Sequence, residues 1–582
     1  MRRGRLQDGA RRKAARASKD YLAEEMGTLV REPGGRARIG LVWPGSYEMG
    51  LASLGFLSVY SLLLANPRVC VERFFQTNPG QAALSLETGT SLAEFSLVAA
   101  SLTLENDYWI LLDILAKGRL NPERVERVGE PLVLVGGVGV WANPWPMIPF
   151  ADLILLGEAE LQWPQIIDFY LDPNFLAESK AGKLRILAAK IPGALVPSLW
   201  PEEVLKGEAP LLKPLRPALV AWPPEGFEPP RSPILTPNTE FGQRRLVEIS
   251  RGCPHGCRFC LAGALYRPHR PWPVAKILAA LASPGSSGEP VGLVSPAVAD
   301  HPEIETLLGA LKERGNPISV SSLRLSALTE NLARRLLAGG VKGLAVAPEA
   351  GSQRLRDVIN KSLNEGEILG ACQLLAEAGL RKLKLYFMLG LPGETDEDLL
   401  AIAGLAQKIQ KAIRRGSYAP KLALSVANFS PKSQTPFEAV PLLSEIELSR
   451  RGELVRKALA AVGGLELRVD PPLWSIAQSL LARGGVEAGE LVRLMWAEGG
   501  RVKRFYRRFM AQRSDLGRER AEMLAENPWP ATKSRPWRVV AISAGAGFLA
   551  AEKELAQTGQ LSPPCPPAGH CGRCGACEKM VD

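Results

Sequence analysis

Between residues 36 and 190, short runs of consecutive apolar residues alternate with segments of helical period, and glycine, proline and asparagine mark the turns. That alternation is the pattern of parallel strands joined by helices. Residues 38–43 read as the first strand and 50–65 as the helix after it, with further strands at 95–102, 131–137 and 151–158. Runs that are apolar on both faces belong in a sheet covered on both sides. The pattern therefore predicts an α/β domain with a doubly wound parallel sheet, whose ligand crevice lies beyond the carboxyl ends of its strands.

Residues 191–240 are dense in proline, with pairs at Pro223-Pro224 and Pro229-Pro230, and read as a linker. The alternation then resumes, with strands at 246–250, 291–295, 318–322, 343–347, 382–388 and 422–427. Helices at 274–282, 302–314, 330–338, 366–378 and 396–414 separate them. Six strands and five helices predict a partial (β/α)6 TIM-type barrel over 241–440, with reactive groups at the carboxyl ends of its strands. Residues 441–560 read as a mainly helical region, 561–582 as a cysteine-rich tail and 1–35 as a basic extension.

Composition narrows the class without naming a chemistry. The 582 residues exceed what one core accommodates, and 46% hydrophobic with 23% charged residues is ordinary for a globular chain. The basic start is followed by polar residues with no apolar secretory core, and glycine and proline interrupt the long apolar stretches. The expected location is the cytoplasm, with no membrane partner. The net charge of +11 is concentrated in residues 1–20 and 501–520, each with eight Arg or Lys against two acids. The stretch 501–509 interleaves aromatic with basic residues, which suits contact with RNA or a ribonucleoprotein or, alternatively, a surface helix with a solvated basic face over a buried aromatic stripe.

Seven of the nine cysteines fall in two tight groups. Cys253, Cys257 and Cys260 occupy Arg251-Gly-Cys-Pro-His-Gly-Cys-Arg-Phe-Cys260, directly after the first strand of the second unit. Three thiolates with no fourth nearby leave one iron of a four-iron cluster open to an exogenous ligand. A structural zinc loop borrowing His255 is the alternative. Cys565, Cys571, Cys574 and Cys577 form the second group, which reads as a metal site separate from the first: a structural zinc, an auxiliary iron-sulfur cluster or a redox thiol group, with His570 as a further donor. Cys70 and Cys372 stand alone in apolar helical context and read as buried small hydrophobes.

The C-x3-C-x2-C spacing with an aromatic before the last cysteine resembles the radical S-adenosylmethionine (SAM) superfamily. The segments 136–137, 143–144, 151–152 and 157–160 resemble the cobalamin-binding-type domain that precedes many barrels of this superfamily. The resemblance implies a 4Fe-4S cluster on Cys253, Cys257 and Cys260 with SAM on its open iron. It implies a 5'-deoxyadenosyl radical acting on an unassigned substrate, and an electron donor of flavodoxin or ferredoxin type. It also implies roles for Phe259 beside the adenine, Glu349 on the ribose, Lys361 at the SAM carboxylate and Gly390 where the backbone approaches the adenine. Ser295 stands where an acidic segment usually receives the SAM amino group. Glu349 reads alternatively as a helix cap and Lys361 as a solvated helix-end lysine. The loop Pro44-Gly-Ser-Tyr-Glu-Met-Gly50 lacks the histidine that ligates cobalt in histidine-on cobalamin domains. The first domain thus either binds cobalamin without a protein ligand or is a scaffold that shapes a cleft. A cobalamin-dependent methyltransferase, and a nucleic-acid-binding factor with a structural cluster, are the alternative functions.

Overall fold

The structure is a computed structural model that describes residues 20–577, except 130, 210–212, 221–225, 283–286, 321, 415–417, 513–534 and 567–570. The first sheet comprises β1 (Ala37–Val42), β2 (Val69–Phe74), β3 (Leu97–Ser101), β4 (Leu132–Gly136), β5 (Leu153–Leu155) and β6 (Ala194–Leu195), in the order β2-β1-β3-β4-β5-β6. All neighbours are parallel except the pair β5 and β6. Successive residues of its strands enter two different cores. Ile39, Leu41, Leu97, Ala99, Leu132 and Leu134 meet the helices Leu54–Ala65 and Ala159–Tyr170 on one face. Val42, Val98, Ala100, Val133 and Val135 meet the helix Asp107–Lys117 on the other. Period-two alternation between two apolar faces is what makes these strands read as unbroken apolar runs.

Strand β2 has no counterpart in the sequence reading. Its run Val-Cys-Val-Glu-Arg-Phe carries two charges, yet Glu72 and Arg73 are 1% and 0% exposed. Arg73 is neutralised from outside the strand, donating to Glu25 at 2.8 and 2.6 Å and to Glu87 at 2.6 Å. Cys70 consequently lies on a strand and not a helix, although it is buried as expected, as is Cys372. Within the expected basic extension, residues 20–35 dock on the first unit: Tyr21 stacks on Tyr47 at 4.0 Å, and Tyr47 donates to Glu25 at 2.7 Å.

The second unit begins with β7 (Arg245–Glu248), followed by the two-residue strands β8 (Ser250–Arg251) and β9 (Arg270–Pro271), which pair antiparallel. Then come β10 (Val291–Val294), β11 (Ile318–Val320), β12 (Ser322–Leu323), β13 (Gly343–Glu349), β14 (Lys382–Leu389), β15 (Lys421–Asn428) and β16 (Leu465–Val469). Parallel pairing runs β11-β10-β7 in one sheet and β12-β13-β14-β15-β16 in the other. The expected strand at 318–322 is divided into β11 and β12, one in each sheet. The region after 440, expected to be helical, also contributes β16, which lies between the helices Glu445–Val462 and Pro472–Arg483.

The residues around the proline-rich connector are fastened down. Gly157 bridges Ala218, Leu215 bridges Val540, and the Val220 amide donates to the Glu158 carboxylate at 2.7 Å. The carboxy-terminal helices close over the first unit. The Asn143 side-chain amide donates to Leu481, Ala482 and Gly484 carbonyls at the end of the helix Pro472–Arg483, and Arg493 pairs with Glu123 at 2.6 Å. These bonds answer the last carbonyls of a helix, which lack intrahelical partners. No described helix is long and apolar enough to cross a membrane.

The helix Val502–Gln512 resolves the reading of the basic stretch. Phe505 and Phe509 are 0% and 7% exposed and stack at 6.1 Å, while Arg504, Arg507 and Arg508 face outward. The rings of Phe505 and Phe509 fill a core and are not available to stack on bases. The other basic residues, 1–19 and 513–520, lie outside the described residues. Phe505→Ala should lower stability by about 3–5 kcal/mol by opening a cavity, whereas Arg504→Ala should leave the denaturant midpoint unmoved. Equal midpoints for the two variants would show that the aromatic face is not the packed one.

Candidate functional site

The pairing of β8 with β9 pinches the ends of the cysteine loop together, with Arg251 opposite Arg270. Gly252 turns into it at φ +76°, where a β-carbon would strike the Tyr266 carbonyl oxygen at 2.2 Å. Inside the loop the Cys260 amide donates to the Cys257 carbonyl at 3.1 Å, and the amides of Ala262 and Gly263 point at the Cys260 sulfur. Burial pushes the Cys253 thiol up to about 12, and the Cys257 sulfur beside it adds to the shift. Cys260 is raised for the same two reasons. A bound cationic centre between these half-buried sulfurs would favour the thiolate forms that burial opposes at Cys253 and Cys260.

No three His, Cys, Asp or Glu side chains among the described residues are gathered tightly enough to hold one metal ion. An iron-sulfur cluster places each thiolate on a different iron, so its ligands stand farther apart than those of a single tetrahedral ion. His255 is committed elsewhere, with Nε2 2.8 Å from Asp300 Oδ1.

Glu349 and Lys361, expected to touch different parts of one ligand, form an ion pair at 3.1 Å. Glu349 ends β13 where its register with β14 shifts, at φ +67°. Lys361 sits between Asn360 at φ +53° and Ser362 at φ +42°, and is 8% exposed, so it is no solvated helix-end lysine. Three non-glycine residues held in the left-handed region within one small volume are a costly arrangement of the kind that accumulates at ligand sites. Burial works against the charge on Lys361, yet Glu349 and Cys257 raise its pKa above the ordinary lysine value. Ser352 performs the capping that Glu349 would otherwise offer, accepting from the Leu355 amide.

Sequence reading missed Arg324. It follows β12 directly, donates to the Lys361 carbonyl at 2.6 Å and holds Nη1 4.0 Å from the Cys257 sulfur. An arginine at a strand's carboxyl end was the available signal, hidden because the strand is divided. Ser295 is half-buried, shares a 2.6 Å hydrogen bond with Ser250, and accepts from the Ala297 amide at 2.9 Å. Phe259 and Met388 pack against the small core of Ala350, Leu355, Leu391 and Phe429, between the ends of β13 and β14. Gly390, at φ +85°, gives its amide to the Glu394 carboxylate at 2.6 Å, and Leu448 fills the space of a side chain there.

A cavity of about 350 Å³ lies beyond the carboxyl ends of β1, β3, β4 and β5, and its far wall is Glu248, Arg251, Gly252 and Tyr266 of the cysteine-loop region. Its near wall is largely apolar and opens at Gly55, whose missing β-carbon would meet nothing within 4 Å. No histidine lines it among the described residues. Arg251 joins the walls, reaching Glu160 at 2.6 Å, Glu248 at 2.9 Å and Glu158 at 3.2 Å, while Arg270 binds Glu158 at 2.5 Å. Burial alone would raise the Glu158 carboxyl, but the two guanidiniums outweigh it and hold the group below its usual range.

The tail is docked on the cysteine loop rather than forming a separate unit. The Cys565 amide donates to the Pro254 carbonyl at 2.7 Å, and Arg267 Nη1 lies 3.4 Å from the Cys565 sulfur. Burial raises the Cys565 thiol, and among the further causes are the sulfurs of Cys574, Cys571 and Cys577. The four sulfurs are neighbours on the docked tail. His570 lies outside the described residues.

The sequence matches "Radical SAM proteins, N-terminal" over residues 55–197 and "Radical SAM superfamily" over residues 247–406. It is 31% identical over 453 residues to an uncharacterized protein of Methanocaldococcus jannaschii, covering 77% of this chain and 88% of that one. An uncharacterized protein of Methanopyrus kandleri is 27% identical over 35% of this chain and 40% of its own length. Among solved structures, the radical S-adenosylmethionine methyltransferase TsrM from Kitasatospora setae, with cobalamin and a 4Fe-4S cluster bound, aligns at TM-score 0.44 and 14% identity, covering 67% of this chain and 75% of that one. From its open three-cysteine loop to the family match that spans it, this chain is an enzyme of the radical SAM superfamily.

Proposed function

We propose that this enzyme binds SAM over a four-iron cluster held by Cys253, Cys257 and Cys260 and directs a 5'-deoxyadenosyl radical at a substrate placed in the cavity between its two α/β units. The observation that carries the reading is the convergence of Arg324, Lys361 and Glu349 on the Cys257 side of the loop. When bound and reduced, the cluster supplies the single electron that breaks the SAM carbon-sulfur bond. The chain's own groups supply position and charge. Arg324 and Lys361 offer two cations to the methionyl carboxylate, which releases Glu349 from its ion pair to accept both ribose hydroxyls. Phe259 and Met388 provide an apolar platform for the adenine beside the end of β14. Ser295, whose hydroxyl already serves Ala297, leaves the SAM amino group to backbone carbonyls or to a shared bond with Ser250. The electron comes from a donor of flavodoxin or ferredoxin type.

A cobalamin-dependent methyl transfer is the second reading, favoured by the position of the cavity at the carboxyl ends of a parallel sheet and facing the cluster loop. The walls at Gly55, Gly137 and Glu158 would hold the cofactor with no histidine on cobalt. A binding factor with a merely structural cluster is disfavoured by the buried aromatic face of the helix Val502–Gln512.

Anaerobic reconstitution followed by cofactor extraction and a SAM-cleavage assay tests the proposal. Cys253→Ala, Cys257→Ala and Cys260→Ala should each lower the iron content and abolish 5'-deoxyadenosine formation; unchanged formation in any of them would sink the assignment. Glu349→Gln keeps shape and removes charge. Since a hydrogen bond to a charged group contributes about 1.5–3 kcal/mol, SAM affinity should fall roughly ten- to hundredfold with iron unaffected. Arg324→Gln should weaken SAM binding comparably. Wild-type affinity in both variants, measured by calorimetry, would reduce these residues to a structural ion network.

A further inference from the structure

Resting on the radical SAM reading, we infer that Cys565, Cys571, Cys574 and Cys577 hold a second iron-sulfur cluster, through which electrons reach the cluster on Cys253, Cys257 and Cys260. The tail supplies four cysteines in the spacing C-x5-C-x2-C-x2-C, and the fold sets the first of them against the three-cysteine loop. Four thiolates saturate a four-iron cluster and leave no iron for SAM, which suits storage and passage of an electron rather than chemistry on a substrate.

The two groups are joined by the shortest kind of link a fold offers. Cys565 donates its amide to Pro254, the residue after Cys253. Adding one peptide unit to one hydrogen bond places the Cα atoms of Cys565 and Cys253 no more than roughly 10 Å apart. Arg267 spans the same junction, donating to the Cys565 sulfur at 3.4 Å and to the His255 carbonyl at 3.3 Å. A second clamp runs from the Ser562 amide to Asn360 Oδ1, and from Asn360 Nδ2 to the Gly256 carbonyl. The tail is thus fixed to three consecutive residues of the first loop, Pro254, His255 and Gly256. Cys574 is 5% exposed, whereas Cys565, Cys571 and Cys577 are half-exposed, so the tail presents a side to solvent where a donor protein could dock. One electron enters the tail cluster from an external low-potential carrier of flavodoxin or ferredoxin type. One electron leaves it for the first cluster, so the tail cluster returns to its starting oxidation state and neither gains nor loses atoms.

The test uses the full chain reconstituted anaerobically with iron and sulfide. Wild type should contain about eight iron atoms, and the quadruple variant C565A/C571A/C574A/C577A and the triple variant C253A/C257A/C260A should each retain about four. Only the signal left in the quadruple variant should respond to SAM in electron paramagnetic resonance. Retention of wild-type iron by the quadruple variant, or zinc in place of iron in the tail, overturns the inference while leaving the SAM site standing; a quadruple variant whose remaining signal ignores SAM overturns the underlying reading instead. Donor-driven SAM cleavage should fall at least tenfold further than dithionite-driven cleavage in the quadruple variant, and equal falls overturn the relay. If that variant does not fold, Arg267→Met in the otherwise intact chain decides. Loss of its donor to Cys565 should lower the midpoint potential of the SAM-unresponsive signal, and an unmoved potential overturns the assignment.

Discussion

Everything at the centre of this molecule depends on how Arg251 and Arg270 are neutralised. The two arginines face each other across the strand pair that closes the cysteine loop, and Glu158 of the first α/β unit lies between them. Charges so deeply buried are tolerable only as a complete set, because removing one partner leaves the others desolvated and unpaired. The first unit therefore does more than sit beside the loop, since its carboxylates are a condition for the loop's closure. The edge-on contact of Trp141 with Tyr266 at 4.9 Å reinforces the same junction with apolar area. A cavity bounded by both units follows from that geometry, and so does its proximity to Cys253.

The strands of both units were legible because their side chains alternate between two apolar faces or repeat with glycine-marked turns. β2 was not, since Glu72 and Arg73 interrupt the pattern and their burial depends on Glu25 and Glu87, which the chain brings from elsewhere. The cysteine loop was legible from its spacing, and Glu349 and Lys361 from motif alone. Their ion pair was not, because it needs β13 and the loop at 360–362 to turn left-handed toward each other. Arg324, Arg258 and Arg267 look in sequence like ordinary surface cations. Only the fold shows that each is committed to a carbonyl, a carboxylate or a sulfur near the first cysteine loop.

The same constraint explains why the tail could be misread as an independent module. A cysteine cluster at a chain end, preceded by prolines, has every local sign of autonomy. What ties it down is contributed from the other side, through Pro254, Arg267 and Asn360, none of which carries a recognisable signature.

Arg258, between the second and third loop cysteines, carries this dependence into the order of assembly. Its fully buried guanidinium is satisfied by the carbonyls of Asp357 and Val358 and by Glu552 and Gln560 of the carboxy-terminal region. On the ribosome the loop emerges roughly three hundred residues before those last partners exist, and until then the cation must stay in water. The loop thus reaches its final shape only after the segment carrying Glu552 and Gln560 has packed against it, so two stretches far apart in the chain must meet before this cation can leave water.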